Sequence, residues 1–174
     1  MSDTTFDDRL IGQWKLNPTH SSASFSIDYT VAKFRGTFEE VDGALRDGVL
    51  TGAVKVASIN VKEPTLGSHL QSPDFFVGER HPAISFRSDV LSIDGDSLTL
   101  EGQLTLRGVT KPVRATGTVS GPTEFMTHTR LGFALETVID RTEFGMAWNA
   151  DLPKGGKALS DEVTLSVELE FDLL

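Results

Sequence analysis

Apolar and polar residues alternate along much of this chain with the period of two that a half-buried β-strand requires. The segment 22–31 is the clearest case, because every second residue from Ala23 to Val31 is apolar or aromatic and the residues between are serine, aspartate or threonine. The same alternation recurs in the segments 98–106, 113–119, 129–140 and 162–172. Each of these segments is predicted to be a strand with one face in the core and the other in water.

Shorter apolar segments predict further strands at 14–16, 34–38, 50–61 and 82–93. Within 50–61 the apolar phase switches between Val56 and Ile59, which indicates a bulge or a sharp bend. Tight reversals are predicted at Asp42-Gly43, Asp47-Gly48 and Asp94-Gly95, since such pairs favour turns.

Two segments depart from the β pattern. Residues 64–76 place Leu66 and Leu70 one helical turn apart and then meet Pro73, which predicts a short helix lying across the sheet. Residues 141–157 combine scattered aromatic residues with a proline and two adjacent glycines, which predicts a turn or a single helical turn followed by an exposed loop.

The segment 98–119 is predicted to be a β-hairpin, with Gly108, Lys111 and Pro112 supplying its turn. If Leu106 lies opposite Val113, then Gly102 lies opposite Gly117 on the apolar face. A pair of glycines inside two strands marks either a bend or a space without side chains.

About eight strands are predicted, and no helix is long enough for a crossover between parallel strands, so the sheet is expected to be antiparallel. Apolar and polar residues alternate in both the first and the last strand, so these two strands can pair and leave the sheet without edges. The predicted fold is therefore an all-β, closed antiparallel barrel with one or two short helices. A barrel of this size is either filled by side chains or holds one small ligand.

Charge and composition exclude several classes of partner and of chemistry. The net charge of −9 disfavours nucleic acid and anionic membrane surfaces as partners. The absence of cysteine excludes disulfides and thiolate chemistry.

The N-terminal segment has no signal-peptide pattern and no apolar run is long enough to span a bilayer, so we expect a cytoplasmic protein without stable membrane insertion. Residues 1–12 are expected to be a flexible segment, or to form a short helix that packs Phe6, Leu10 and Ile11 on a domain at 13–174.

Motifs for catalysis or metal binding are weak. His20, His69, His81 and His128 lie far apart and form no metal-binding motif, and no nucleophile elbow or phosphate-binding loop is present. Asp140-Arg141 with Glu143 can be interpreted as an acid/base cluster. The favoured interpretation is that Arg141 binds a carboxylate or backbone carbonyls and holds the turn before Phe144. No catalytic residue, metal site or cofactor is predicted.

The apolar faces either line a lumen or fill a solid core, and alternation alone favours the solid core. A lumen would hold one small ligand, with Tyr29 and Trp148 as candidate hydrogen-bond donors to a polar group on it. The candidate ligand-binding residues are Phe25, Ile27, Tyr29, Phe38, Phe75, Phe76, Phe86, Leu104, Leu106, Phe133, Leu135, Phe144 and Trp148.

Several motifs in a fixed order resemble one known family. They are Trp14 to Pro18, His20-Ser21, and the ranges 34–38, 68–76, 81–88, 102–113 and 139–145. Together they identify the chain as similar to the YceI-like proteins, also described as polyisoprenoid-binding, over nearly all of 14–171.

The resemblance implies an elongated, lipocalin-like barrel that encloses a lipid such as a polyisoprenoid or an isoprenoid quinone, and homodimers would suit the family. We therefore expect a carrier or sequestering protein without catalysis. Two alternatives stay open: a lipid isomerase or cyclase on the same scaffold, and a filled barrel that serves as an interaction module.

Overall fold

The structure is a computed structural model that describes residues 7–63, 66, 69–72, 74–76 and 80–174. Its strand segments form one antiparallel sheet in the order β1-β4-β5-β7-β8-β9-β10-β11-β2-β3-β6. The segments are β1 (Gln13–Leu16), β2 (Ser22–Tyr29), β3 (Ala32–Phe38), β4 (Val41–Arg46), β5 (Val49–Lys55), β6 (Ile59–Asn60), β7 (Ala83–Asp94), β8 (Ser97–Leu106), β9 (Val109–Phe125), β10 (His128–Asp140) and β11 (Leu159–Leu173).

Six of these segments combine into three long, bent strands. The first long strand consists of β1 and β2, which both pair with β11. The second consists of β3, which pairs with β2, and β4, which pairs with β1. The third consists of β5, which pairs with β4, and β6, which pairs with β3. With β7 to β11 they make eight strands, and the pairing of β1 with β11 closes the sheet. The predicted closed antiparallel barrel is confirmed. A 3₁₀ turn at Val56–Ser58 separates β5 from β6 and confirms the predicted bend.

The sheet continues through one of the predicted turns. β4 runs across Asp42-Gly43, so the turn predicted there is wrong, and the chain reverses instead at Asp47-Gly48, where φ is 51° and 76°. Gly43 lies opposite Gly52, and a Cβ at Gly43 would lie 2.6 Å from the carbonyl oxygen of Thr51. This glycine therefore allows two strands to approach closely and does not make a turn.

The predicted register of the β8–β9 hairpin is also wrong. Arg107 and Gly108 both have left-handed φ values, 56° and 73°, and form a two-residue turn that closes the hairpin at once. Leu106 therefore pairs with Val109, and Lys111 and Pro112 belong to β9. Gly102 faces Val113 and Gly117 faces Leu98, so the predicted glycine pair does not form.

The predicted short helix lies only partly within the described residues. Leu66, His69 and Leu70 are helical, whereas Pro64, Gly67, Ser68 and Pro73 lie outside the description. Gln71 donates a hydrogen bond of 2.7 Å to the carbonyl of Val56, which ties this segment to the bend between β5 and β6.

Two other short segments pack on the barrel. Asp8–Leu10 forms one 3₁₀ turn that buries Leu10, while Ile11 is exposed. Arg141–Phe144 forms a second turn and leads into an irregular loop, as predicted. In the described part of the chain, no helix has the length and apolar character that crossing a bilayer needs.

One end of the barrel is closed by packed side chains. Trp14, Leu45, Leu98, Leu131 and Phe171 are each at most 2% exposed. They lie near the chain termini and near the turns that follow β4, β7 and β9. This end of the barrel is therefore solid, and any internal space lies toward the other end.

Candidate ligand cavity

The barrel contains a cavity of about 650 Å³ whose wall is mostly apolar. Pockets for small molecules commonly measure roughly 300–1,000 Å³, so this space is large enough for a ligand. The interior is thus a lumen and not a solid core. The predicted residues that line it are Phe25, Ile27, Tyr29, Phe38, Phe75, Phe76, Phe86, Leu104, Leu106, Leu135 and Trp148.

Two predicted lining residues lie elsewhere. Phe133 is 2% exposed and packs edge to face on Phe171 with ring centroids 5.4 Å apart, in the closed end of the barrel. Phe144 is 1% exposed within the 3₁₀ turn after β10. Both belong to the packed core and not to the cavity wall. The inward orientation of Phe133 does not fix how far along the barrel its side chain lies, and Phe144 is buried within the turn that precedes the irregular loop.

A cluster of phenylalanines forms one wall of the cavity. Phe25 lies 5.9 Å from Phe34, 6.0 Å from Phe38 and 6.2 Å from Phe76, measured between ring centroids. Gly36 makes room for this cluster, since a Cβ there would lie 2.6 Å from the Phe25 ring. Phe76 comes from the segment after the helical residues, so this segment covers the aromatic wall.

Further lining residues were not among the predicted set. Most lie on the same alternating inner faces that the sequence pattern marks, so that pattern could have found them. Among them are Leu16, Ala23, Phe34, Leu50, Val54, Ile84, Leu100, Ala115, Val163, Leu165, Val167 and Leu169. Gly52 also lines the cavity, opposite Phe86. A Cβ at Gly52 would have only the Asp42 carbonyl oxygen nearby, at 3.7 Å, so space adjoins this glycine.

Three rings and a carboxylate form the entrance of the cavity. His69 packs edge to face on both Phe75 and Trp148, with centroid distances of 5.0 and 4.8 Å. Asp74 fixes the His69 ring, since its Oδ2 lies 3.0 Å from Nε2. Tyr29 and Trp148 line the cavity yet are 50% and 37% exposed, which places them at the rim.

Arg141 lies in the cavity wall and holds the loop beside the entrance. Its Nη1 donates to the carbonyls of Met146 and Trp148, at 2.6 and 2.8 Å, and its Nε donates to Ser160 at 2.9 Å. These bonds confirm that Arg141 holds the turn through backbone carbonyls. Its side chain is almost fully buried, and burial lowers the pKa of the guanidinium.

The neighbouring carboxylates do not join Arg141 in an acid/base cluster. Asp140 caps the 3₁₀ turn by accepting hydrogen bonds from the backbone and side chain of Thr142, and these bonds lower the pKa of its carboxyl group. Glu143 is exposed. Neither carboxylate lines the cavity, so the residues interpreted as a catalytic cluster do not converge on it.

The histidines are also dispersed. His20 lies beside Glu170 on the outer surface, with Nδ1 3.3 Å from Oε2, and His69 stands at the entrance. Within the described ranges, no group of three or more histidine, aspartate or glutamate side chains is arranged to hold a metal ion.

The chain is similar to proteins of one family over most of its length. The model of the YceI-like domain matches residues 14–171. A UPF0312 protein of Staphylococcus aureus strain USA300 is 28% identical over 166 residues, covering 88% of this chain and 94% of the relative.

Solved structures share the barrel. Burkholderia cenocepacia BcnA superposes with a TM-score of 0.73 at 18% identity, covering 89% of this chain and 98% of that one. A YceI protein of Campylobacter jejuni gives 0.72 at 24% identity, with 83% and 88% covered. A polyisoprenoid binding domain from Saccharophagus degradans gives 0.72 at 12% identity, with 92% and 98% covered. At these identities the comparison establishes a shared fold.

Proposed function

The chain belongs to the YceI-like family, and from that premise we propose that it binds one long apolar molecule of the polyisoprenoid or isoprenoid quinone class in its barrel, carrying or sequestering it without transforming it. The observation that carries this proposal is the 650 Å³ cavity with a mostly apolar wall, open at one end and closed by packed side chains at the other. The description of the Saccharophagus degradans neighbour as polyisoprenoid-binding agrees with it.

The size of the cavity sets an expectation for the tail. If each non-hydrogen atom occupies roughly the 30 Å³ that a water molecule occupies in the liquid, then 650 Å³ accommodates about twenty such atoms. That corresponds to about four five-carbon units. A longer tail would leave its remaining units outside the entrance.

The polar groups in the wall favour binding over catalysis. A lipid isomerase or cyclase needs a titratable side chain beside the reacting carbon inside the lumen. Of the titratable residues in the described wall, Asp42, Glu63 and Glu136 are exposed, and Tyr29 is half-exposed at the rim. His69 pairs with Asp74, and Arg141 binds backbone carbonyls. The interaction-module alternative assumes a filled barrel, so the cavity supports ligand binding over this alternative.

A series of prenyl alcohols of increasing length tests the proposal. At about 0.3 kcal/mol per non-hydrogen atom, each five-carbon unit adds about 1.5 kcal/mol, or roughly tenfold in affinity. We expect the dissociation constant, measured by calorimetry at a stoichiometry of one, to fall with each unit and level off near four units. Absence of binding at every length would refute the proposal.

A further inference from the structure

We infer that the protein exchanges its ligand while the entrance of the cavity rests on the surface of a zwitterionic lipid bilayer. The contact is made by Tyr29, Val31 and Trp148, which together form the entrance patch. This inference rests on the proposed function, because it names the phase from which the apolar ligand reaches the lumen. The contact is a reversible one at the surface of the bilayer and does not insert the barrel into it.

The entrance patch exposes apolar and aromatic side chains where the cavity opens. Tyr29 and Trp148 line the cavity and are partly exposed, and Val31 is fully exposed in the two-residue turn between β2 and β3. Tyrosine and tryptophan are enriched at membrane interfaces, since their rings combine an apolar body with a polar group. Side chains of this kind beside the opening therefore suit a lipid surface.

The turn that carries Val31 has an unusual backbone. Thr30 has a φ of 53°, a left-handed conformation that is rare for a β-branched residue. Turns of this kind usually have glycine, asparagine or aspartate at such a position. Strained backbone clusters at functional sites. This turn thus presents a β-branched apolar residue to water, where turns usually carry glycine or polar residues.

Backbone hydrogen bonds join the entrance patch into one surface. The N–H of Thr30 donates to the carbonyl of Ala158 at 2.8 Å, and the N–H of Ala158 donates to the carbonyl of Ala150 at 2.9 Å. Trp148 precedes this bonded segment, and Arg141 holds its carbonyl. The β2–β3 turn and the loop that carries Trp148 are therefore fixed relative to each other.

The charge of the protein is distributed so that this end can approach a lipid surface. Strands are connected at the open end by 30–31, 61–82, 107–108 and 141–158. With four residues on either side of each connection, these segments contain nine basic and nine acidic residues. The net charge of −9 therefore comes from the rest of the chain. A neutral entrance end suits a zwitterionic bilayer, whereas the acidic remainder is repelled by an anionic one.

Tryptophan fluorescence tests the contact with vesicles of phosphatidylcholine that is brominated on its acyl chains. The chain has two tryptophans, and Trp14 is buried in the closed end, so quenching by the bromine atoms reports Trp148. We expect lower emission with brominated vesicles than with the same vesicles without bromine. Equal emission with both kinds of vesicle would overturn the inference.

Val31→Asp separates contact with the surface from entry of a lipid chain into the lumen, because Val31 does not line the cavity. We expect this variant to lower the partition coefficient for phosphatidylcholine vesicles about tenfold, measured by co-sedimentation. Val90→Asp is the matched control, since Val90 is an exposed valine on β7 toward the closed end, outside the cavity wall. The inference fails if Val31→Asp partitions as wild type does, or if both variants lose partitioning equally.

A soluble ligand separates this inference from the proposed function. Geraniol, a prenyl alcohol of two five-carbon units, is soluble enough in water to reach the lumen without vesicles, and Val31→Asp is expected to bind it as wild type does. Geraniol binding without vesicle binding in wild type would overturn this inference alone. Absence of binding for vesicles, geraniol and every longer prenyl alcohol would overturn the proposed function with it.

The other occupant that the entrance patch could take is a second copy of the chain. Analytical ultracentrifugation of wild type and Val31→Asp distinguishes this case. We expect the two proteins to have the same oligomeric state. A dimer that is lost in Val31→Asp, together with no vesicle binding in wild type, would assign the entrance patch to the second copy and overturn the inference.

Discussion

His69 and Trp148 meet edge to face at the entrance of the cavity, with ring centroids 4.8 Å apart. The backbone carbonyl of the same tryptophan accepts a hydrogen bond from Arg141, and Asp74 holds the histidine. The entrance is therefore built from side chains on two segments that are separate in sequence and contact each other.

Removing the Trp148 ring should make passage through the entrance easier. An aromatic pair contributes about 0.5–1.5 kcal/mol beyond its area, so Trp148→Ala is expected to raise the ligand dissociation rate severalfold to tenfold, as measured by stopped-flow displacement. Phe125→Ala is the control, because Phe125 is 61% exposed at the opposite end of the barrel. Equal rates in Trp148→Ala and wild type would show that ligands do not leave past this residue.

A side chain added at Gly52 should occupy the lumen. Gly52 lines the cavity opposite Phe86 and has space for a Cβ, so Gly52→Leu is expected to fold and to lower ligand affinity at least tenfold in a calorimetric titration. Gly132→Leu places the same side chain on the outer face of β10, next to inward-facing Phe133, and should bind as wild type does. Equal affinities in the two variants would place the ligand elsewhere.

The two inward phenylalanines Phe133 and Phe86 should respond differently to truncation. Phe133 is packed on Phe171 in the closed end, so Phe133→Ala should cost about 3–5 kcal/mol in the free energy of unfolding and leave ligand affinity unchanged. Phe86 borders the cavity, so Phe86→Ala should destabilise the protein less and weaken binding. Denaturant unfolding and ligand titration check both variants, and the opposite order of effects would contradict the assigned boundary of the lumen.

The cap at Asp140 should make stability depend on pH. Hydrogen bonds from Thr142 hold the pKa of the Asp140 carboxyl below its ordinary value of 3.8. A pKa lowered by folding means that the carboxylate stabilises the protein above the ordinary value, and that this contribution disappears as the pH falls through the lowered value.

Asp140→Ala is therefore expected to lower the melting temperature at neutral pH, with a difference from wild type that shrinks below pH 3.8. Glu143→Ala, at an exposed carboxylate on the same turn, should have little effect at either pH. A difference between Asp140→Ala and wild type that is independent of pH would show that the charge of the cap does not contribute.

Alternation of apolar and polar residues was enough to predict the barrel and most of its inner face, because each strand has one face buried in the barrel interior. It could not fix the position of a side chain along the barrel axis. Phe133 and Leu135 share one face of β10, yet the first packs in the closed end and the second lines the cavity. That difference depends on the register of neighbouring strands and on how far the closed end extends along the barrel axis.

The predicted pairing register of the β8–β9 hairpin is wrong because the role of Gly108 in the turn was misinterpreted. At Arg107-Gly108 a turn of two residues was enough, and the expected longer turn shifted every pair of the hairpin. Gly117 shows the consequence: a Cβ there would overlap the carbonyl oxygen of Ala134, so Gly117→Leu would disrupt the pairing of β9 with β10 rather than block the lumen. The glycine that does line the cavity is Gly52, which lies opposite Gly43 within the strands predicted least completely.

The central claim is that the cavity holds a long apolar molecule. Mass spectrometry of the freshly purified protein, first under native conditions and then denatured with organic extraction, tests it most directly. We predict one bound species per chain that is released on denaturation and has the mass of an isoprenoid or a prenylated quinone. A protein that shows only its own mass under native conditions, and that takes up no added prenyl lipid, would contradict the claim.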